Sequence, residues 1–470
     1  MSGLFSSLNA AANALGVQSR AVETAGKNLA NVNNPAYARQ RVHLGSLGTI
    51  QTPQGPESMG VTVLGLEQMR DALLDKQVLR EISLSAGYAA EQQGYQRASA
   101  GLGQGIDGTQ NAGGASSTSA NGVAAALDDF FNAFQSLASN PTDAGQRQTL
   151  LQSASILTDR LRLADRRLTQ VSSDLDAQIG TDVGTANRLL STIAGLNAQI
   201  ARLEINNPGS AVDLRDQRQA DLEQLAATMP VDLRTSPAGQ VQLYAKDTLG
   251  NDVLLVDGPT VLGPVAFNGT QVTGGAAAAV LALSSGSIQG ALTARDGAAR
   301  QIRDSLDRLA AQLVGAVNAA YNPTAATGDF FAAGGATAGT IAIAAGVNTG
   351  TLKASDGGAA GDNTVALAIA RIATRKFSTA GGDAIDGTLG GYFSAAVSNL
   401  GQAVAGATAR VADQDNVRQL VTGQRDSASG VSLDEETADL LKYQRAFQAS
   451  ARVFTTIDSL LDTVVNRLGA

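Results

Sequence analysis

The apolar positions of this chain fall into long lines with helical spacing. Near its end Leu433, Leu440, Phe447, Phe454, Leu461 and Leu468 recur every seventh residue. Tyr443, Ile457 and Val464 form a second line three residues behind, which Glu436 and Ser450 interrupt. Residues seven apart share one stripe of an α-helix, so the spacing predicts a helix with a coiled-coil seam. Ser432 with Glu435 reads as a capping box, and Asp434 and Glu436 add negative charge at the positive end of the helix dipole. The first residues match this pattern: Leu4, Leu8, Ala11, Leu15, Val22, Ala25, Leu29 and Val32 step by fours and threes, with Gln18 the one break. Both seams are narrower than the apolar face of an ordinary surface helix. They predict that the two ends of the chain pair with each other and that the pair packs against other subunits.

Between the ends the period persists. Met69, Leu73, Leu79 and Ile82 are candidate inner residues of a helix over 67–100. Residues 101–122, rich in Gly, Ser, Ala and Asn, read as a linker. Leu127, Phe130, Phe131, Phe134 and Leu137 predict a short helix that anchors a core, ended at Asn140-Pro141. Asp143 then caps a run from Leu150 through Leu175, followed by another from Ala186 through Leu203, with Gly180 and Gly184 as candidate bends. A helix of about sixty residues spans roughly 90 Å, which predicts an elongated molecule. A further helix is expected over 213–228.

Residues 230–285 change period. Val241-Gln-Leu-Tyr, Asp252-Val-Leu-Leu-Val and Val265-Ala-Phe read as strands, and Asn268-Gly269 as a two-residue hairpin turn. Helix returns over 288–322. A glycine-rich loop over 324–364 follows, with a candidate strand at Thr340-Ile-Ala-Ile, and helices resume at 365–372 and 392–424. The expected architecture is mainly α and multi-domain. Residues 1–48 with 428–470 form a terminal coiled coil, 49–228 with 288–427 a helical rod, and 229–287 a small inserted β-rich domain.

Composition narrows the function. The chain has 470 residues, 44% of them hydrophobic and only 4% aromatic, with no Trp, so its core is aliphatic and favours packed helices. A net charge of -8 argues against nucleic-acid binding. With no Cys and one His, there are no disulfides, thiolate metal sites or cysteine nucleophiles, and His43 is the single candidate for a histidine-based triad. No serine or carboxylate is placed near it by a local motif, and Asp383, Asp386, Asp413 and Asp415 match no calcium loop. The reading is therefore not an enzyme, with no cofactor, no metal and no catalytic residue. No segment is long and apolar enough to span a membrane, and the first residues have no ordinary signal-peptide pattern.

One motif carries more. Where the first helix should end, the chain reads Asn28-Leu-Ala-Asn31-Val-Asn33-Asn34-Pro35-Ala-Tyr37. The asparagines suit turn or left-handed conformations and the proline stops the helix. This resembles the signature of the flagellar rod, hook and hook-associated axial proteins, with Ala36 where that family usually has glycine. Gly430-Val-Ser-Leu-Asp-Glu-Glu and Tyr443-Gln-Arg-Ala-Phe are similar to the family's closing motif. Asp129-Phe-Phe-Asn-Ala-Phe and Asp213-Leu-Arg-Asp-Gln-Arg resemble its hook-associated junction members.

The resemblance implies a structural subunit of the bacterial flagellum at the junction of hook and filament. Such a subunit is exported without a cleaved signal, self-associates in a ring, and meets the hook protein on one side and a second junction protein and the filament on the other. An export chaperone is an expected partner; nucleic acid and membrane are not. The seam residues Leu4, Leu8, Leu15, Val22, Leu29, Leu433, Leu440, Phe447, Phe454, Leu461 and Leu468 are the expected subunit interface. Asn31, Asn33, Asn34, Pro35 and Tyr37 are the signature turn. The alternatives are another axial protein (hook, distal rod or second junction protein) and a secreted adhesin or translocon with terminal coiled coils.

Overall fold

A computed structural model describes residues 2–52, 55–103, 122–205, 209–235, 240–325, 328–359 and 361–467. Helix α1 (Ser2–Ala30) opens the chain. A ribbon follows, in which β1 (Gln40–Ser46) and β4 (Val61–Gln68) pair antiparallel around the hairpin of β2 (Thr49–Thr52) and β3 (Gly55–Ser58). Helices α2 (Ala72–Gly101), α3 (Val123–Ser139), α4 (Ala144–Leu203) and α5 (Val212–Thr228) come next. The four-stranded antiparallel sheet is β5 (Asp232–Thr235), β6 (Val241–Lys246), β7 (Asp252–Asp257) and β8 (Thr260–Val261). The three-stranded sheet is β9 (Ala266–Phe267), β10 (Val272–Gly274) and β11 (Ala279–Val280). Helices α6 (Gly286–Ala294), α7 (Arg300–Tyr321), α8 (Thr364–Ala370), α9 (Leu389–Ser429) and α10 (Leu433–Arg467) complete the chain. The fold is mainly α, as the periodicity predicts.

The chain divides into two compact units: 1–85 with 183–286 and 414–470, and 86–182 with 287–413. The boundaries fall within α2, α4 and α9 and after the first residue of α6. The first unit therefore holds both the terminal helices and the β-rich stretch, a grouping different from the three-part division expected above.

In the second unit the core is an aromatic knot. Phe130 of α3 meets Phe330 and Phe331, and Phe134 meets Phe330, with ring centroids 5.5–5.8 Å apart, and Tyr321 closes on Phe330 at 5.4 Å. All five rings are at most 1% exposed. The loop after Tyr321 is tied down from the side: the Arg147 guanidinium donates to the carbonyls of Pro141, Thr349 and Leu352.

Helix α4 runs unbroken through Gly180 and Gly184. Its predicted line is buried from Leu150 to Ile200, while Leu203 at its end is 61% exposed. Asp143 does cap it, accepting from the N–H groups of Gly145 and Gln146.

Several expectations are corrected. The helix expected over 288–322 is interrupted by a π-turn at Arg295–Ala299, where Gly297 leaves helical geometry beside the Tyr95 hydroxyl. The extra residue in that turn brings Arg295, buried, onto Asp176 at 2.6 Å. Thr340-Ile-Ala-Ile forms no strand, only a bridge between Phe331 and Ile343. Met69 and Leu73 are 37% and 65% exposed rather than inner, whereas Leu79 is buried. The Asn268-Gly269 turn has four residues, since Phe267 pairs with Val272. Most of the expected linker over 101–122 lies outside the described residues.

Candidate functional site

Helices α1 and α10 pack along each other, as their seams require. On α10, Leu440, Phe447 and Phe454 are half-buried and Leu461 is buried; Leu433, at its first turn, is 53% exposed. Leu468 lies outside the described residues. On α1, Leu4, Leu8, Leu15, Val22 and Leu29 are all half-buried. The fully buried positions of α1 include Ala11 and Ala25 of the predicted line and, off it, Val17, Ala21 and Asn28, because α1 also packs against β1 and β4. Periodicity predicted the pairing of α1 with α10 but could not reveal that β1 and β4 also pack on α1.

At the foot of this pair a polar clasp joins residues far apart in sequence. Asn28, 1% exposed, is its hub. Its Oδ1 accepts from the Tyr37 hydroxyl at 2.8 Å and from the Gln40 N–H at 3.0 Å. Its Nδ2 donates to the Gln40 carbonyl and to Glu436 Oε2, both at 2.9 Å. Glu436, 3% exposed, takes Arg39 Nε on its other oxygen at 2.6 Å, and the same guanidinium reaches Glu435 at 2.7 Å. Buried carboxylates persist only when paired and hydrogen-bonded, and here both conditions hold. Burial opposes the charge of Arg39, but Glu436 and Glu435 outweigh it and raise its pKa.

A second layer holds the turn to α5. Asp216 Oδ1 accepts from Arg70 at 2.6 Å, Gln68 at 2.9 Å and the Ala38 N–H at 3.3 Å. Arg70 also donates to the Ala36 carbonyl, and Arg425 donates to the Pro35 carbonyl while pairing with Glu223 at 2.7 Å. Burial raises the Asp216 pKa despite Arg70. Burial, then Asp216, pushes the Tyr37 hydroxyl far up, so it stays a donor to Asn28 across ordinary pH. Gln40 Oε1, Arg70 Nε and Asp216 Oδ2 are buried without partners among the described residues. Such atoms cost about 1–3 kcal/mol each, so the clasp holds its geometry at some expense in stability.

Of the signature residues only Tyr37 touches the hub; the others belong to the turn. Asn31 Nδ2 donates to the Lys27 carbonyl, Asn34 Oδ1 accepts from the Ala36 N–H, and Asn33 and Pro35 are exposed. None of the three asparagines adopts the left-handed conformation they were expected to tolerate; among the described residues only Ala278 and Ala325 do so without being glycine. The capping box is half formed. The Glu435 N–H donates to Ser432 Oγ at 3.4 Å, but the Glu435 side chain turns to Arg39.

Sequence reasoning gave no site role to Asn28, Arg39, Gln40, Gln68, Arg70 or Asp216, although Asn28 and Asp216 lie in the motifs above, and read Glu436 as a break in the seam and a charge at the helix start. A single charge on an otherwise apolar line is the one signal that was available, since such residues fix register at a cost in stability. His43 is exposed on β1, opposite Gly65. Among the described residues no cluster of His, Cys, Asp or Glu could hold a metal ion, and no helix is long and apolar enough to cross a membrane.

Comparison with known proteins agrees with the motifs. A family model described as the helical domain of the flagellar hook-associated protein FlgK matches residues 114–328. Another, described as the C-terminal part of flagellar basal body rod FlgEFG proteins, matches 423–468. The chain is 27% identical to flagellar hook-associated protein 1 of Bacillus subtilis, covering 100% of this chain and 99% of the relative. It is 25% identical to the Escherichia coli protein of the same name, covering 98% and 99%. The flagellar hook protein FlgE of Helicobacter pylori is 33% identical over 21% of this chain and 13% of its own length. A solved structure of the flagellar hook junction protein FlgK from Burkholderia pseudomallei aligns with a TM-score of 0.43 at 22% identity, covering 52% of this chain and 43% of that one.

Proposed function

We propose that this chain, a member of the flagellar hook-associated protein 1 family, is a structural component of the bacterial flagellum that forms the junction between hook and filament. The end-to-end similarity to relatives of that name supports the reading, and the terminal helices supply a means. Subunits are exported, meet the hook protein on one side and a second junction protein and the filament on the other, and associate in a ring. An export chaperone holds the ends beforehand. The role is structural, with no catalysis and no cofactor. The terminal pair acts as its own domain in assembly, beside the helical rod and the β-rich insertion.

The observation that carries this is the incomplete burial of α10. Beside the seam that α1 covers, Tyr443, Ala446, Ser450, Val453, Ile457, Leu460 and Val464 step by three and four, the spacing of a second seam. Val453 and Leu460 on it are 53% and 52% exposed. A helix with two seams and one partner has room for a neighbour. The interface then comprises Leu4, Leu8, Leu15, Val22, Leu29, Leu433, Leu440, Phe447, Phe454, Leu461 and Leu468 together with this second line.

Replacing Leu440 and Phe447 with glutamate in the chromosomal copy is expected to leave the second unit folded and to stop filament growth. Normal filaments on cells carrying only that variant would defeat the proposal.

A further inference from the structure

We propose that Asn268 is a site of spontaneous deamidation, a covalent change built into the turn between β9 and β10. Asn268 is exposed, and its Oδ1 accepts two backbone N–H groups, from Thr270 at 2.9 Å and Gln271 at 2.8 Å. Those donors sit where negative charge develops when a nucleophile adds to the side-chain amide carbon, the arrangement that stabilises a tetrahedral oxyanion. The adjacent nucleophile is the Gly269 nitrogen. Gly269 has φ +88°, and the space where a Cβ would stand is empty, so no side chain on that residue obstructs the attack.

The step balances without any outside oxidant or reductant. Solvent base removes the Gly269 N–H proton, and that nitrogen bonds to Asn268 Cγ. The Cγ–Nδ2 bond breaks and ammonia leaves, giving a cyclic imide. Water then opens either imide carbonyl, leaving aspartate or isoaspartate. The aspartate product keeps both N–H contacts and strengthens them through its charge. Isoaspartate places an extra carbon in the main chain and breaks the pairing of Phe267 with Val272. The damage stops short of Val265, whose N–H and C=O are both held by Asn187 on α4.

The chain contains its own control. Asn348 is also exposed, and its Oδ1 accepts from Gly350 at 2.9 Å and Thr351 at 3.1 Å. The following residue there is Thr349, whose branched side chain obstructs the attack.

The test is to hold the purified full chain in mildly alkaline buffer, map its peptides by mass spectrometry, and quantify isoaspartate with an isoaspartyl methyltransferase. Conversion is expected at Asn268 and not at Asn348. Thr349→Gly should make Asn348 a second site, and Gly269→Ala should abolish the first. Asn268 that stays intact in the folded chain but converts after unfolding in urea would overturn the proposal, because the turn would then protect the amide. Equal rates at Asn268 and Asn348 would overturn it too.

Discussion

Two regions of this molecule use phenylalanine to opposite ends. In the second unit Phe130, Phe134, Phe330 and Phe331 are fully buried against one another and against Tyr321. On α10, Phe447 and Phe454 stand in a line of equal regularity and remain half-exposed. The difference lies in the number of surfaces each side chain meets. The knot is enclosed by α3, α7 and the loop after it, whereas the α10 line meets one narrow helix. A finished core and an unfinished seam can thus share the same residue type. Only the count of covering elements separates them.

The comparison can be broken most directly at the knot. Phe330→Ala should cost about 3–5 kcal/mol in denaturant unfolding of the second unit, as expected for a fully enclosed aromatic. A loss below about 1 kcal/mol, small on that scale, would mean the knot is not that unit's core. Next comes the clasp. Glu436→Ala leaves Arg39 and Asn28 without their buried partner and should cost the first unit about 3 kcal/mol, the low end for a broken buried pair, because Arg39 is partly exposed. Hydrogen exchange over 28–40 should speed up while the knot stays protected. Phe447→Ala should cost the isolated subunit only about 1 kcal/mol, less than a buried phenylalanine, yet weaken association measured by sedimentation. Equal costs at Phe447 and Phe330 would erase the distinction.

The smallest expected effect is on acid stability. Burial works against the Glu204 carboxylate, but the Arg215 hydrogen bond and the Ala211 N–H outweigh it and lower its pKa. A depressed carboxylate pKa means the folded state binds its proton less readily than the unfolded one. Its contribution is therefore present above the ordinary glutamate range and lost as pH falls through the lowered value. Glu204→Gln should flatten that part of the acid unfolding curve of the first unit and leave the aromatic knot unchanged. An identical curve for the variant would remove Glu204 from the account.

How much was legible beforehand follows the same division. The buried line of α4 was readable from Leu150 to Ile200, because a helix covered along one face writes its period into the sequence. The leucine line of α1 was readable too, but its depth was not, because α1 also packs against β1 and β4, and a small buried residue off the line such as Ala21 looks neutral in sequence. The clasp was almost invisible. Asn28, Arg39 and Asp216 are ordinary polar residues until the fold brings three distant segments to one point. The π-turn at Arg295–Ala299 left no periodic trace, since Gly297 reads as one more small residue in a helix.

The bond from Asn28 to Glu436 joins positions 408 apart in sequence. Closing a flexible loop of that length costs about 5 kcal/mol in chain entropy, more than one hydrogen-bonded contact returns. The clasp therefore cannot start folding. It closes after the intervening chain has folded and brought the two ends together. On the folding pathway it is a late event, and the pairing of α1 with α10 in full register inherits that lateness.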